Sequence, residues 1–307
     1  MGTSYHITLL PGEKSRLPEE IKSIIDERLR RVNQAMSTYI PDSELSQLNS
    51  TIDPGWQSVS TELATVLSEA ILVGAMTGGA LDVTVAPLVN LWGFGPSQKP
   101  IVIPTDIQIA AARQDVGYEK LQLHLSPPEL KKPKGLHIDL SSIAKGYGVD
   151  VVAELLAAYG VEDYLVEIGG ELRTKGANPK GQPWRIGIEI PSPVQGGVQQ
   201  AISVSGKAVA TSGDYRNFYE EDGVRYSHII DPRTGKPIAN ALASVTVVAD
   251  TAAFADGLAT GLSVMGAENA LRLAEEQNLA IYVIIKEGDQ FITRYSSAFN
   301  RYLKAEG

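Results

Sequence analysis

Apolar residues recur every three or four positions along several long segments, which is the spacing of an amphipathic helix. The clearest stripe consists of Ile21, Ile24, Ile25, Leu29 and Val32. It predicts a helix that begins at Leu17-Pro18 and ends near Met36, with its charged residues on the opposite face. The pattern predicts further helices over 60–76, from about 105 to 115, from Ser141 to about Tyr159, and over 250–276 with a bend near Gly266.

Other segments are rich in β-branched and aromatic residues and alternate or stay apolar over short runs, which is typical of strands. Strands are predicted over 3–10, 120–124, 136–140, 163–172, 184–190 and 241–248, with hairpins over 201–212 and 279–294 and an exposed loop over 126–134. Strands come in hairpins and helices in separate blocks, so the pattern favours an α+β fold with antiparallel and mixed sheets and packed helices. There is no internal repeat or low-complexity segment. We therefore expect a single domain over 1–307, or two closely packed subdomains.

Composition excludes several classes of function. The 307 residues carry a net charge of -9, which gives no general field for attracting a phosphate backbone, so nucleic acid is not expected as a partner. Cysteine is absent, which removes disulfides, thiolate metal sites and cysteine nucleophiles. No run approaches the roughly 18 apolar residues of a membrane span. Dinucleotide-binding and phosphate-binding glycine motifs of the Rossmann and P-loop types are also missing.

The segment FADGLATGL places Asp256 and Thr260 four residues apart on a small, apolar helix face. This spacing puts a carboxylate and a hydroxyl on one side of the helix, one turn apart. Two hard oxygen ligands suit Mg²⁺, which takes few protein ligands and completes its shell with water and substrate phosphate. A capping Asp and a Thr bonded to its own backbone would give the same pattern. Spacing alone leaves both interpretations open.

The segment HIDLSSIAKGYG combines Asp139 at a strand end, Ser141 or Ser142 at a helix start and Lys145 in the first turn. A helix N-terminus offers free amides to an anion, and a Lys in that position is unfavourable for the helix but well placed for a phosphate. The alternative is an Asp or Ser N-cap followed by a solvated Lys.

Three further segments carry weaker signals. His228 precedes the turn IIDPRTGKP, where it could act as a general base or bind a phosphate, or could be a strand His bonded to backbone. Asp82 lies among apolar and aromatic residues, where it could accept from a flat heterocycle or cap the following turn. Thr211, Ser212 and Gly213 could present backbone donors to a ligand or form an ordinary turn.

Together these segments resemble the ApbE family of flavin transferases, also called FAD:protein FMN transferases. The resemblance rests on eight segments in the same order: MGTSY, MSTYIPDSELSQLN, GALDVTVAPLVNLWGFG, DLSSIAKGYGVD, EIGGEL, VATSGDY, HIIDPRTGKP and FADGLATGL. They span most of the chain. Each motif is weak alone, and their shared order makes the resemblance specific.

The resemblance implies an α+β fold with FAD in a cleft and a divalent cation, usually Mg²⁺, at its pyrophosphate. It implies metal ligation by the side chains of Asp256 and Thr260 and by the backbone carbonyl of Ser142. Positions aligned with FAD contacts are Met36, Tyr39, Ala80, Leu81, Asp82, Asp139, Lys145 and Ile230, and His228 falls in the segment beside the reacting phosphate. One departure is that Glu167 and Glu171 stand where many members have Asn and Asp around the paired glycines.

The activity implied by the resemblance is transfer of FMN from FAD to a Ser or Thr hydroxyl of an acceptor protein, expected to be a redox subunit. The acceptor hydroxyl would attack the FMN-side phosphorus while Asp139 or His228 takes its proton, and AMP would leave. Two alternatives remain. Water could replace the acceptor, giving an FAD pyrophosphatase that releases FMN and AMP, or the protein could bind FAD without chemistry.

The resemblance also bears on location. Many members begin with an export signal and a lipid-attachment Cys, and neither is present in this sequence, which opens with a strand-like MGTSYHITLL. We expect a mature or trimmed form of a periplasmic or other extracytoplasmic protein that is anchored as a lipoprotein at full length. A cytoplasmic form is the alternative.

Overall fold

The computed structural model describes residues 2–95, 103–191, 197–213, 218–221, 224–288 and 290–303. Helices in this part of the chain are α1 (Ile21–Met36), α2 (Glu44–Ser50), α3 (Thr61–Met76), α4 (Ala86–Leu91), α5 (Asp106–Arg113), α6 (Ala144–Ala158), α7 (Ala252–Met265), α8 (Ala267–Glu276) and α9 (Asn300–Leu303), with 3-10 turns at Tyr118–Lys120 and Ser297–Phe299. None of these helices is both long and apolar enough to cross a bilayer.

Most of the strands follow one another in the second half of the chain, between α6 and α7 and after α8. The strands are β1 (Tyr5–Leu10), β2 (Gln57–Ser58), β3 (Gln122–Leu125), β4 (Pro128–Lys131), β5 (Asp163–Ile168), β6 (Glu171–Lys175), β7 (Trp184–Glu189), β8 (Val198–Val204), β9 (Ala208–Gly213), β10 (Phe218–Glu221), β11 (Val224–Ser227), β12 (Ile230–Asp231), β13 (Lys236–Pro237), β14 (Leu242–Ala249), β15 (Ala280–Glu287) and β16 (Gln290–Tyr295). The mixture of helices and antiparallel strands confirms the predicted α+β class.

A seven-stranded sheet in the order β1-β5-β6-β9-β14-β15-β16 organises the fold. Every neighbouring pair in it is antiparallel. Strand β14, the fifth in this order, pairs with β9 from Ser244 to Ala249 and with β15 from Leu242 to Val248. Smaller sheets are formed by β2-β4-β3, β7-β8, β10-β11 and β12-β13.

Both faces of the sheet are covered, and β15 shows how the sequence achieves this. Successive side chains of a strand point to opposite faces. Ile281 and Val283 accordingly pack with α7 and α8, whereas Tyr282 and Ile284 pack with β7, β8 and Phe299. A strand buried on both sides reads as a continuous apolar run, which is why its period of two is invisible in the sequence.

The structure corrects the predictions between residues 120 and 140. The predicted loop 126–134 contains strand β4, and the predicted strand 136–140 forms no strand ladder. Its backbone groups bond elsewhere, because the Asn49 side-chain amide donates to Ile138 O and accepts from Ile138 N, both at 2.8 Å. The Asp139 amide donates to Val83 O at 2.7 Å. A side chain from α2 thus takes the place of a strand partner.

Three other predictions shift. The segment 201–212 is not a hairpin, since β8 pairs with β7 whereas β9 pairs with β6 and β14. Helix α1 begins at Ile21, so Leu17-Pro18 precede it. Helix α6 begins at Ala144 because residues 141–143 form a turn that is held by the Asp139 carboxylate. The bend predicted near Gly266 is confirmed as the boundary between α7 and α8, where Gly266 adopts a φ of 77°.

Candidate active site

A cavity of about 1000 Å³ opens where the ends of several elements meet. Helices α4, α6 and α7 and strands β6, β9 and β12 contribute to its wall, together with the segments around 38–50 and 135–142. This volume is at the upper end of the ~300–1,000 Å³ typical of small-ligand pockets. The wall includes eleven of the residues singled out from the sequence: Tyr39, Ala80, Leu81, Asp82, Asp139, Ser142, Lys145, His228, Ile230, Asp256 and Thr260.

Met36 is the exception among the sequence-predicted residues. It is only 4% exposed and belongs to a core cluster with Val32 and Leu45, and it is not part of the cavity wall. Tyr39, three residues later, is 72% exposed at the cavity, so the chain leaves the core between these two positions. The end of α1 at Met36 accounts for the change of environment.

The innermost part of the wall is built at the junction of α6 and α7. Asp256 on α7 accepts a hydrogen bond from the Gly146 amide of α6 at 3.0 Å. Asp150 on α6 accepts from the Ala252 and Ala253 amides of α7 at 2.9 and 2.8 Å. Each helix therefore supplies an acid to the other's first turn, whose amides lack partners within their own helix. Sequence reasoning did not find Asp150, which looks like an ordinary helix residue.

Gly146 allows the two helices to approach this closely. A Cβ at this position would lie 2.2 Å from the Ala252 carbonyl oxygen and 2.7 Å from the Ala253 nitrogen. These are backbone atoms, which cannot move aside as the end of a side chain can. The absence of a side chain at Gly146 is thus required for the hydrogen bond to Asp256.

Lys145 lies between two buried acids. Its Nζ is 2.8 Å from Glu171 Oε1 on β6 and 3.4 and 3.5 Å from the two carboxylate oxygens of Asp256. The predicted location in the first turn of α6 is confirmed, and the Lys145 side chain, which is 32% exposed, is paired with these acids and is not free in solvent. The sequence pointed to Glu171 only as a departure from the family pattern. The signal that could have found it is an acid directly after the paired glycines of a buried strand.

Burial is the largest single influence on the pKa values of Asp256, Glu171 and Lys145. It raises the pKa of Asp256, against the opposing effects of the Lys145 ammonium and the Gly146 amide. Burial, and after it the charge of Asp256, raise the pKa of Glu171 to about 8. Burial alone would lower the pKa of Lys145, yet the two acids more than compensate, so its pKa lies above the usual value. The lysine stays charged, and the acids share one counterion.

Glu167, the other acid of this hairpin, has a different role. Its carboxylate lies 2.7 Å from His6 Nδ1 and accepts from the Gly170 amide at 2.6 Å. These contacts close the turn between β5 and β6 at the protein surface, and Glu167 is not part of the cavity wall.

The segment before α6 presents Asp139 and Ser142 to the cavity. Asp139 Oδ1 accepts from the Ser141 amide at 2.9 Å and from the Ser141 hydroxyl. Asp139 therefore stabilises the turn over 141–143, and this turn brings Ser142 to the cavity wall. The alternative interpretation of Asp139 as an N-cap holds only in part, because the acid caps a turn and not the helix itself.

Asp82 is 6% exposed and uses both carboxylate oxygens within the protein. Oδ1 accepts from the Thr84 amide at 2.8 Å and from the Thr84 hydroxyl at 2.6 Å, and Oδ2 accepts from the Tyr118 amide at 3.0 Å. Burial raises the pKa of Asp82, while these hydrogen bonds oppose the rise. This is the turn-capping interpretation of Asp82, at a position that also lines the cavity.

His228 and Ile230 also line the cavity. The His228 ring makes an edge contact with Phe94, with ring centroids 6.4 Å apart. Ile230 belongs to the β12–β13 hairpin, where Arg233 forms a two-pronged ion pair with Asp231 at 2.9 Å. Arg233 is thus used to hold the turn. Thr211, Ser212 and Gly213 of β9 also line the cavity, whereas residues 214–217 of that motif lie outside the described ranges.

The oxygen atoms around Asp256 are of the kind that a hard divalent cation takes as ligands. Thr260 Oγ1 donates to Asp256 O at 3.2 Å, which leaves the lone pairs of the hydroxyl oxygen for another partner. Glu171 Oε2 is buried without a hydrogen-bond partner among the described residues. No group of three or more His, Asp or Glu in the described chain is arranged to hold a metal. A cation here would bind carboxylate, hydroxyl and carbonyl oxygens and complete its shell with substrate or water.

Comparisons with known proteins define the class. The family model described as ApbE family matches residues 1–285, and the chain belongs to this family. A relative from Vibrio cholerae, named FAD:protein FMN transferase, is 50% identical over 303 residues, covering 99% of this chain and 90% of the relative. One of the same name from Haemophilus influenzae is 46% identical over 307 residues, covering 98% and 89%.

A solved structure gives the same result for the fold. The flavin transferase ApbE from Vibrio cholerae superposes with a TM-score of 0.90 at 49% identity, covering 99% of this chain and 96% of that one. The resemblance inferred from the eight sequence segments is therefore confirmed.

Proposed function

We propose that this protein transfers FMN from FAD to a Ser or Thr hydroxyl of an acceptor protein and releases AMP, with the help of a divalent cation, Mg²⁺ by preference. The observation that carries the proposal is the placement of Lys145, Asp256 and Thr260 together on the wall of a cavity large enough for a dinucleotide. The names of the relatives support the same activity.

The cavity wall provides groups that can bind a divalent cation and the negatively charged pyrophosphate of FAD. The Asp256 carboxylate, the Thr260 hydroxyl and the Ser142 carbonyl are the oxygens available to the cation, which when bound would neutralise charge on the pyrophosphate. Lys145 supplies a positive charge at the same place. This local arrangement explains how a chain with a net charge of -9 can accept an anionic substrate.

The chemistry requires a group that removes the acceptor's proton. The acceptor oxygen forms a bond to the FMN-side phosphorus, the bond from that phosphorus to the AMP oxygen breaks, and the hydroxyl proton passes to a base. Asp139 and His228 both line the cavity. Asp139 Oδ1 accepts from the Ser141 amide and the His228 ring contacts Phe94, so both residues are candidates for the base. Orientation of the two reactants by the cavity wall would contribute much of the rate.

The test uses the full chain with FAD, Mg²⁺ and a candidate acceptor, a redox subunit with an exposed Ser or Thr. A mass gain of one FMN on the acceptor, with one AMP released per FMN bound, supports the proposal. Rapid AMP release without an acceptor, and no labelled acceptor, would identify a pyrophosphatase. Intact FAD after incubation with metal and acceptor would identify a binding protein.

A location outside the cytoplasm stays a prediction of the family resemblance.

A further inference from the structure

Lys145 has one close partner and one more distant partner in this structure. The contact of Nζ with Glu171 Oε1 at 2.8 Å has the length of a normal hydrogen bond, whereas the 3.4 and 3.5 Å contacts with Asp256 are at the limit of hydrogen bonding. The short hydrogen bond of the lysine is therefore made to β6, whereas its interaction with Asp256 on α7 is mainly one of charge.

A cation at Asp256 would compete with this lysine. Two positive groups next to one carboxylate repel each other, and in a buried site this repulsion is weakly screened. If Asp256 were the only acid within reach, Lys145 would occupy it and oppose metal binding. Glu171 offers the alternative partner, because its side chain is 5% exposed and is fixed on the first residue of β6.

The second carboxyl oxygen of Glu171 can make a further hydrogen bond. Its Oε2 is buried and has no hydrogen-bond partner in the described part of the chain. An ammonium group carries three donors, so Lys145 can give up its contact with Asp256 and bond more fully to Glu171. Oε1 accepts a hydrogen bond from Lys145 whether or not the carboxyl group is ionised.

We propose that Glu171 is a positioning residue: it holds Lys145 away from Asp256, so that Asp256 can bind a divalent cation while the lysine stays in the cavity for the substrate phosphates. The inference rests on the proposed function, in which Asp256 is a metal ligand. Glu171 itself touches neither metal nor substrate in this scheme. It acts through Lys145, as an outer partner of a metal site does.

The experiment measures Mn²⁺ binding to the full chain without FAD or acceptor, by electron paramagnetic resonance of the free ion. In the Glu171→Met variant, Lys145 has only Asp256 as a partner, and Mn²⁺ affinity should fall by about tenfold or more. Glu171→Gln keeps an acceptor oxygen for Lys145 and should stay close to wild type. In the Lys145→Met background, Glu171→Met should cause no further loss. Glu167→Gln, on the same hairpin but outside the cavity wall, is the matched control.

Several outcomes would overturn the inference. Equal losses in Glu171→Gln and Glu171→Met would mean that Glu171 acts only through its charge. The same loss with and without Lys145 would show that the two residues act independently. A wild-type protein that binds no Mn²⁺ would also contradict it. If Lys145→Met does not fold, Lys145→Gln takes its place, and a crystal structure of Glu171→Met must show Lys145 closer to Asp256 than 3.4 Å.

These outcomes are separate from the test of function. A chain that shows the expected coupling but never labels an acceptor refutes the proposed transfer and leaves the positioning role intact. A chain that labels its acceptor while the Lys145 and Glu171 effects simply add refutes the positioning role alone.

Discussion

Asp150 and Asp256 make the same contact in opposite directions across the junction of α6 and α7. Asp150 accepts from the first amides of α7, and Asp256 accepts from the Gly146 amide in the first turn of α6. Only Asp256 reaches the cavity wall, since Asp150 turns instead to Arg173 at 2.8 Å. One acid of this reciprocal pair is therefore structural, and the other is available for ligand binding.

Replacing Asp256 with Asn should abolish metal-dependent FMN transfer, with a loss of about a hundredfold or more, because the only carboxylate proposed to bind the cation becomes neutral. The amide oxygen can still accept from Gly146, so the fold should persist. The measurement is acceptor mass against time, with circular dichroism of the variant. Asp250→Asn, at an exposed acid paired with Lys207, is the control. Wild-type turnover in the Asp256 variant would remove the metal site.

The Thr260→Val variant should weaken the apparent affinity for Mg²⁺ by about tenfold with little loss of stability. Valine has nearly the same shape but no hydroxyl oxygen, and the one hydrogen bond lost is that to Asp256 O. Mg²⁺ titration of FMN transfer at saturating FAD measures the effect. Thr65→Val loses the same type of bond on α3, to Thr61 O, away from the cavity, and should leave the Mg²⁺ dependence unchanged. Identical titrations for both variants would exclude Thr260 as a ligand.

A methyl group at Gly146 should destabilise the protein. The added Cβ would lie 2.2 Å from Ala252 O, so α6 and α7 must move apart, and we expect Gly146→Ala to lower the free energy of unfolding by at least about 2 kcal/mol. Denaturant unfolding measures this. Gly12→Ala is the control, because nothing lies within 4 Å of the Cβ built there. Equal stability of the two variants would contradict the close helix contact.

Stability of the metal-free protein should fall as the pH rises between about 5 and 8. The pKa of Glu171 is about 8 in the folded protein against 4.5 as the ordinary value. In this range the folded state binds a proton that the unfolded state has lost, so increasing pH favours unfolding. Glu171→Gln cannot titrate and should show a smaller decrease. Unfolding free energies in a chelating buffer across this range test the point, and parallel curves for both proteins would refute it.

The sequence predicted the elements whose pattern is local and failed where a distant residue decides. The apolar stripe of α3 predicted its bounds almost to the residue. The segment 136–140 was mistaken for a strand because its apolar residues look like one, and only Asn49, about ninety positions away, shows why it is not. Motif order brought the cavity residues together, but it could not show that Met36 is part of the core.

The electrostatics of the site were the least predictable part. Lys145 was recognised as misplaced in a first turn, yet its two partners lie on β6 and α7. Neither partner is near Lys145 in the sequence, and a salt bridge between distant residues produces no periodic pattern along the chain. The departure of Glu171 from the family pattern drew attention to the right residue without showing what it contacts.

The reciprocal hydrogen bonds of Asp150 and Asp256 between α6 and α7 also matter for how the chain folds. Gly146 and Asp256 are separated by 110 positions, so the contact closes a long loop, and the loss of chain entropy opposes its formation. A partly folded chain would lack the geometry that ligates a cation. Metal binding should therefore distinguish molecules in which the α6–α7 junction has formed from molecules in which it has not.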